Sequence, residues 1–236
     1  MSTCYASNTS TNNPTTHSSL HPPTHPPPTP PCHHPNSNIR ASRTTTFLTA
    51  LRRTLTRLSH LPIPTITALH SSAFGGGLEL ALTTHFRVFA STAAVALPET
   101  KLAIIPGAGG TYRLPALIGL SRARDMVLTG RVVRGPEAYF LGLCDRLVEV
   151  PQPEGAEMGA VDAEARKLTL EAAVGLAREI CEGGPVAVRA AMEAVERCAE
   201  GEMAENRAYE KVLATEDRVE ALRAFGEKRR PVFKGR

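Results

Sequence analysis

Three consecutive glycines, Gly75-Gly76-Gly77, run into Leu78-Glu79 between a short apolar stretch and a segment of helical character. Glycines let the main chain approach a ligand closely and adopt dihedrals closed to other residues. At a helix start the free N–H groups point outward and favour negative charge, which suits the spot to an oxyanion. Glu79 falls in the first helical turn beside it, and Glu99 follows in a loop led by Pro98. A reaction that moves a proton on and off carbon next to a carbonyl needs these parts: N–H donors for the enolate oxygen, and one or two carboxyl groups as base and acid. The same residues also suit plainer roles, a tight turn and a surface glutamate favoured by the helix dipole.

Other chemistries lack their residues. The triplet is not a G-x-G-x-x-G dinucleotide turn, no G-K-[ST] follows it, and neither a G-x-S-x-G elbow nor an H-E-x-x-H zinc helix occurs. The five cysteines (4, 32, 144, 181 and 198) are odd in number and widely spaced, with no C-x-x-C pair to suggest a disulfide frame or a zinc site, which fits a reducing compartment. No metal site is expected. His17, His21, His25, His33 and His34 with Cys32 are read as a solvated tail rather than ligands, because the intervening prolines deny them a common helix face. The formal charge of +4 is concentrated early: residues 1–78 hold five arginines and no acid, whereas the remainder carries 22 basic against 23 acidic side chains. A body so close to neutrality gives no electrostatic case for nucleic acid as the main partner. No apolar run is long enough to span a membrane.

The elements that must position the glycines and carboxylates follow from periodicity. Residues 1–40 form a Pro-, Ser-, Thr- and His-rich leader expected to be disordered, since nine of the 19 prolines fall before residue 39. Order is expected from near Thr44, where Phe47, Leu48, Leu51, Leu55 and Leu58 recur at helical spacing. Residues 64–70 read as a short buried strand ahead of the triplet. Two β-rich pieces, around 86–90 and 94–97, precede Pro98-Glu99. A second glycine-rich turn, Pro106 to Thr111, opens another helix. A strand near 146–150, a polar linker over 151–159 and several amphipathic helices complete the chain. Pro185 is placed as a first helical residue and Thr215 as an N-cap.

Three ordered blocks carry a resemblance. Ile63-Pro-Thr-Ile-Thr-Ala, Ala73-Phe-Gly-Gly-Gly-Leu-Glu-Leu-Ala-Leu and Leu97-Pro-Glu-Thr-Lys-Leu-Ala-Ile-Ile-Pro-Gly-Ala-Gly-Gly-Thr-Tyr-Arg-Leu strongly resemble the enoyl-CoA hydratase/isomerase (crotonase) family, and within it the methylglutaconyl-CoA hydratase branch, which is also linked to AU-rich RNA. The likeness extends from about Thr44 to the carboxyl terminus. It implies an α/β fold, a crotonase-like spiral of ββα units, with a partial spiral core over 41–150 and a helical trimerisation region over 160–236. It implies hydration of an α,β-unsaturated acyl-CoA thioester, methylglutaconyl-CoA or a short enoyl-CoA. Glu79 and Glu99 match the catalytic carboxyls, and Gly76, with Gly75 beside it, the oxyanion site. Phe225 and Lys228 match residues that reach coenzyme A. No cofactor is implied beyond the coenzyme A of the substrate; the implied assembly is a homotrimer or hexamer.

Departures from the pattern set further expectations. Nothing like the family's upstream A-G-A-D segment, which supplies a second oxyanion N–H and much of the adenine pocket, is present, so the domain looks amino-terminally truncated, with an unpaired sheet edge. Ser71-Ser72 stand where a glycine is usual, and His85 where an aspartate is; His85 is not expected to be catalytic. Specific RNA binding is not expected from Arg52, Arg53 and Arg57 alone. The rival readings are a catalytically impaired binding subunit or RNA-binding protein, and an enoyl-CoA isomerase. The acid-poor, Ser/Thr-rich start suits mitochondrial import, with the cytoplasm or peroxisome as alternatives.

Overall fold

In the computed structural model, residues 36–236 are described, with side chains from residue 41 onward. Helix α1 (Asn36–Ser59) starts eight residues before the expected onset at Thr44, so the last part of the presumed leader is helical; residues 1–35, with the histidines and Cys32, lie outside the described residues. Residues 41–46 are exposed, and the Thr45 and Thr46 hydroxyls each donate to the carbonyl four residues back at 3.0 Å. Leu55 is buried and Leu48, Leu51 and Leu58 are half-buried, whereas Phe47 is 63% exposed and falls off the packed stripe.

Two small sheets follow. Strands β1 (Ile66–Leu69), β3 (Phe86–Ala90) and β6 (Arg146–Val148) form a parallel sheet in the order β1-β3-β6. Strands β2 (Ala73–Phe74), β4 (Ala94–Ala96) and β5 (Val133–Arg134) form the other, β2 parallel and β5 antiparallel to β4. The central β3 is covered on both faces, which explains its unbroken apolar run through Val88, Phe89 and Ala90. By contrast β1 is only half-buried, not the buried strand anticipated, because among the described residues it pairs with β3 on one flank alone. Among the described residues β1 thus has one flank without a partner strand, where the sequence led us to expect an open edge, and β2 likewise pairs on one flank.

Between the strands lie α2 (Gly76–Ala81), a 3₁₀ turn (Glu99–Leu102), α3 (Gly110–Ile118), α4 (Leu120–Thr129) and α5 (Gly135–Leu141). Leu78, Leu82, Phe89, Val95, Leu97, Leu114, Met126 and Leu143 meet in one core. The long α6 (Met158–Cys181) lies across β1 and β3, with Ala173 and Leu176 against Val88. Helices α7 (Pro185–Glu196), α8 (Glu202–Leu213) and α9 (Glu216–Gly226) finish the chain. Pro185 is the first residue of α7, and the Thr215 hydroxyl caps α9 by accepting from the Arg218 N–H, as the sequence implied.

Three polar clusters tie elements together. Buried Arg87 donates to the Leu143 and Thr84 carbonyls at 3.0 and 2.7 Å and pairs with Asp145 at 2.9 Å. His85 accepts from the Thr65 N–H at 3.0 Å, and its Nε2 lies 3.1 Å from Glu196, so it is a structural staple between β1, β3 and α7. Asp217, in the first turn of α9, clasps the tail: it accepts from the Lys234 and Gly235 N–H groups and donates its own N–H to the Arg236 carbonyl.

Candidate active site

Of the three glycines, Gly75 alone has a backbone that demands glycine, with φ 54° and ψ −122°. Its N–H donates to the Ala96 carbonyl at 2.9 Å, docking the triplet on β4. A Cβ there would stand 3.2 Å from Glu99 Oε1, so the bare backbone also makes room for that carboxyl. Gly76 opens α2. Its N–H, with those of Gly77 and Leu78, belongs to the first turn and has no intrahelical acceptor. A Cβ on Gly76 would meet nothing within 4 Å, so its α-carbon borders open space.

Helix α2 buries Leu78, Glu79 and Ala81 while Gly76, Gly77 and Leu80 face outward, and this draws the carboxylate inward. Glu79 is 3% exposed. That rules out the surface-glutamate alternative. Its Oε1 accepts two main-chain N–H groups, from Ala108 at 2.7 Å and Gly110 at 2.8 Å. Both donors come from the second glycine-rich turn, which leads into α3, so the carboxylate sits at that helix's positive end. The fit is close: a Cβ on Gly110 would meet Leu97 at 2.9 Å, Pro106 at 3.1 Å and Glu79 Oε1 at 3.2 Å.

Glu99 enters from the 3₁₀ turn that follows β4 and Pro98. Neighbouring residues stake the turn to the end of α4: the Thr100 hydroxyl donates to the Val127 carbonyl and Lys101 Nζ to the Gly130 carbonyl, both at 3.1 Å. Glu99 is 9% exposed, and its Oε2 is buried with no hydrogen-bond partner among the described residues. Burial raises the Glu99 carboxyl above the ordinary carboxylate range; its own main-chain N–H pulls the other way, and the nearby charge of Glu79 adds to the rise. A carboxyl with one buried unpartnered oxygen, beside a second carboxylate and a free helix N-terminus, can hold a proton and release it to a bound molecule.

The structure thus brings Gly75, Gly76, Glu79 and Glu99 together. Phe225 and Lys228 take no part in this cluster within the chain: Phe225 is 86% exposed on α9, and exposed Lys228 follows it. Sequence reasoning missed the Ala108 and Gly110 N–H groups that hold Glu79. The second glycine-rich turn was their signal, and it was read only as a helix start.

Two small sheets, a helical carboxyl-terminal region, and a buried carboxylate on a glycine-led helix beside a second from a 3₁₀ turn define a crotonase-like α/β protein. Residues 36–236 match the description of the enoyl-CoA hydratase/isomerase family, and the chain belongs to it. It is 64% identical over 193 residues to an enoyl-CoA isomerase/hydratase of Zymoseptoria tritici, covering 82% of this chain and 62% of that protein. It is 60% identical over 200 residues to the mitochondrial methylglutaconyl-CoA hydratase 1 of Pyricularia oryzae, covering 82% of this chain and 57% of that one. The chain therefore spans about three-fifths of the length of these curated relatives. Among solved structures, an enoyl-CoA hydratase from Bacillus anthracis superposes with a TM-score of 0.73 at 40% identity, covering 83% of this chain and 71% of that one. Among the described residues no helix is long and apolar enough to cross a membrane.

Proposed function

We propose that this chain carries the catalytic centre of a hydratase for α,β-unsaturated acyl-CoA thioesters. The observation that carries the reading is the pair of buried carboxyls beside the glycine triplet: Glu99 Oε1 stands 3.2 Å from where a Gly75 Cβ would be, and Glu79 sits on the helix that Gly76 opens. The thioester oxygen accepts from that N–H as negative charge develops on it. Glu79, fixed by two main-chain donors, takes a proton from water as the water oxygen attacks Cβ. Glu99, whose carboxyl is raised by burial, gives its proton to Cα; in the reverse direction the two exchange roles. The names of the Pyricularia oryzae and human relatives support a methylglutaconyl-CoA substrate and a mitochondrial location. A homotrimer or hexamer remains the implied assembly, with Phe225 and Lys228 reaching the coenzyme A of a neighbouring subunit.

The test is loss of the ultraviolet absorbance of short enoyl-CoA thioesters, methylglutaconyl-CoA included. Turnover that Glu99→Gln lowers by about 10²- to 10⁴-fold supports the proposal. No turnover by well-folded chain refutes it. That outcome favours a catalytically impaired binding subunit, the reading supported by the strand flanks of β1 and β2 that have no partner among the described residues. Double-bond migration without water uptake favours an isomerase, an activity that the Zymoseptoria tritici relative's name also carries.

A further inference from the structure

Helix α1 reaches the turn that holds Glu79. Arg52 Nε donates to the Gly107 carbonyl at 2.6 Å. Leu48 packs at the same residue, its Cδ2 lying 2.9 Å from where a Gly107 Cβ would be. The Gly107 carbonyl and the Ala108 N–H are two ends of one planar peptide group, and that N–H is a donor to Glu79 Oε1. A cation on the oxygen end orients the plane and draws charge toward itself, which strengthens the N–H as a donor.

The other donor to Glu79, the Gly110 N–H, shares its peptide with the Gly109 carbonyl. That carbonyl already accepts the Arg113 N–H at 2.9 Å, from the first turn of α3. One of the two grips on Glu79 is thus secured by the helix it belongs to. The other is secured from α1, a distant part of the chain, by a side chain that the sequence offers only as one of three arginines on a basic face.

We propose that Arg52 is a positioning residue for the hydration reaction: by holding the Gly107 carbonyl it keeps the Ala108 N–H aimed at Glu79. Its effect on turnover rests on the hydratase reading above; its hold on the turn does not. Removing it leaves the fold and the substrate site intact, because Arg52 is exposed and touches the centre only through one peptide group.

The experiment compares the full chain with Arg52→Gln, Arg52→Lys and, as a control on the same helix, Arg53→Gln. In amide proton–nitrogen spectra, Arg52→Gln moves the Ala108 amide proton upfield and leaves that of Gly110 in place, Arg52→Lys restores part of the shift, and Arg53→Gln changes neither. With enoyl-CoA, Arg52→Gln lowers kcat about fivefold at unchanged KM, the size expected for one exposed charge-assisted bond. An Ala108 amide unmoved by Arg52→Gln overturns the proposal whether or not the chain turns over substrate. A rise in KM at unchanged kcat overturns it too. If the amide responds but no variant, wild type included, hydrates the substrate, the hydratase reading fails and the hold of Arg52 on the turn stands.

Discussion

Alanine placed in turn at Gly75, Gly76 and Gly77 separates three different demands on neighbouring glycines. At Gly75 the backbone lies at φ 54° and ψ −122°, a region costing an alanine about 1–3 kcal/mol, and the new methyl would press on Glu99 Oε1 from 3.2 Å. Gly75→Ala should therefore lose about 2 kcal/mol or more and displace the carboxyl as well. At Gly76 a methyl meets nothing within 4 Å, so the helix gains what alanine gives over glycine, about 0.4–1 kcal/mol, while the methyl occupies the approach to the N–H. Stability rises and hydration falls. At Gly77 the methyl makes an ordinary contact with Ala73 Cβ at 3.5 Å, so stability rises by a similar about 0.4–1 kcal/mol and activity holds. Urea unfolding at constant m-value gives the three stabilities, and the enoyl-CoA assay gives the rates. Equal stability losses at all three positions would refute the reasoning, as would a Gly76→Ala chain with full turnover.

Glu99 carries a pH signature. Its folded carboxyl is raised, so the folded state binds a proton that the unfolded chain has lost; the stabilisation is full below the ordinary glutamate range and disappears as pH rises through the raised value. Glu99→Gln should remove that dependence and make the chain more stable than wild type at neutral pH, read as the urea midpoint against pH. Asp145→Ala strands the buried Arg87 guanidinium, whose other partners are neutral carbonyls, and should cost about 3–5 kcal/mol in urea or thermal unfolding, far more than a surface pair.

Glu79 and Glu99 were legible in the sequence because each lies beside a glycine- or proline-led turn within a block that resembles the family, although an acid at a helix start also suits a plain surface role. The hold on Glu79 was not, since Ala108 and Gly110 act through N–H groups that every residue but proline shares. Strands β2 and β5 have two residues each, too few for alternation to show. The stripe of α1 was correct at Leu48, Leu51, Leu55 and Leu58 and failed at Phe47, where helical spacing does not distinguish the seam from its margin. The half-buried state of β1 was equally hidden: its composition suits a central strand, and only pairing reveals that one flank has no neighbour among the described residues.

The clasp at Asp217 bears on the last helix. The Lys234 and Gly235 amides and the Arg236 carbonyl all bond to Asp217, so one residue moors the run 234–236 to the start of α9. Losing the Asp217 carboxylate would free the Lys234 and Gly235 amides from the first turn of α9 and loosen the footing of that helix before any assembly were measured.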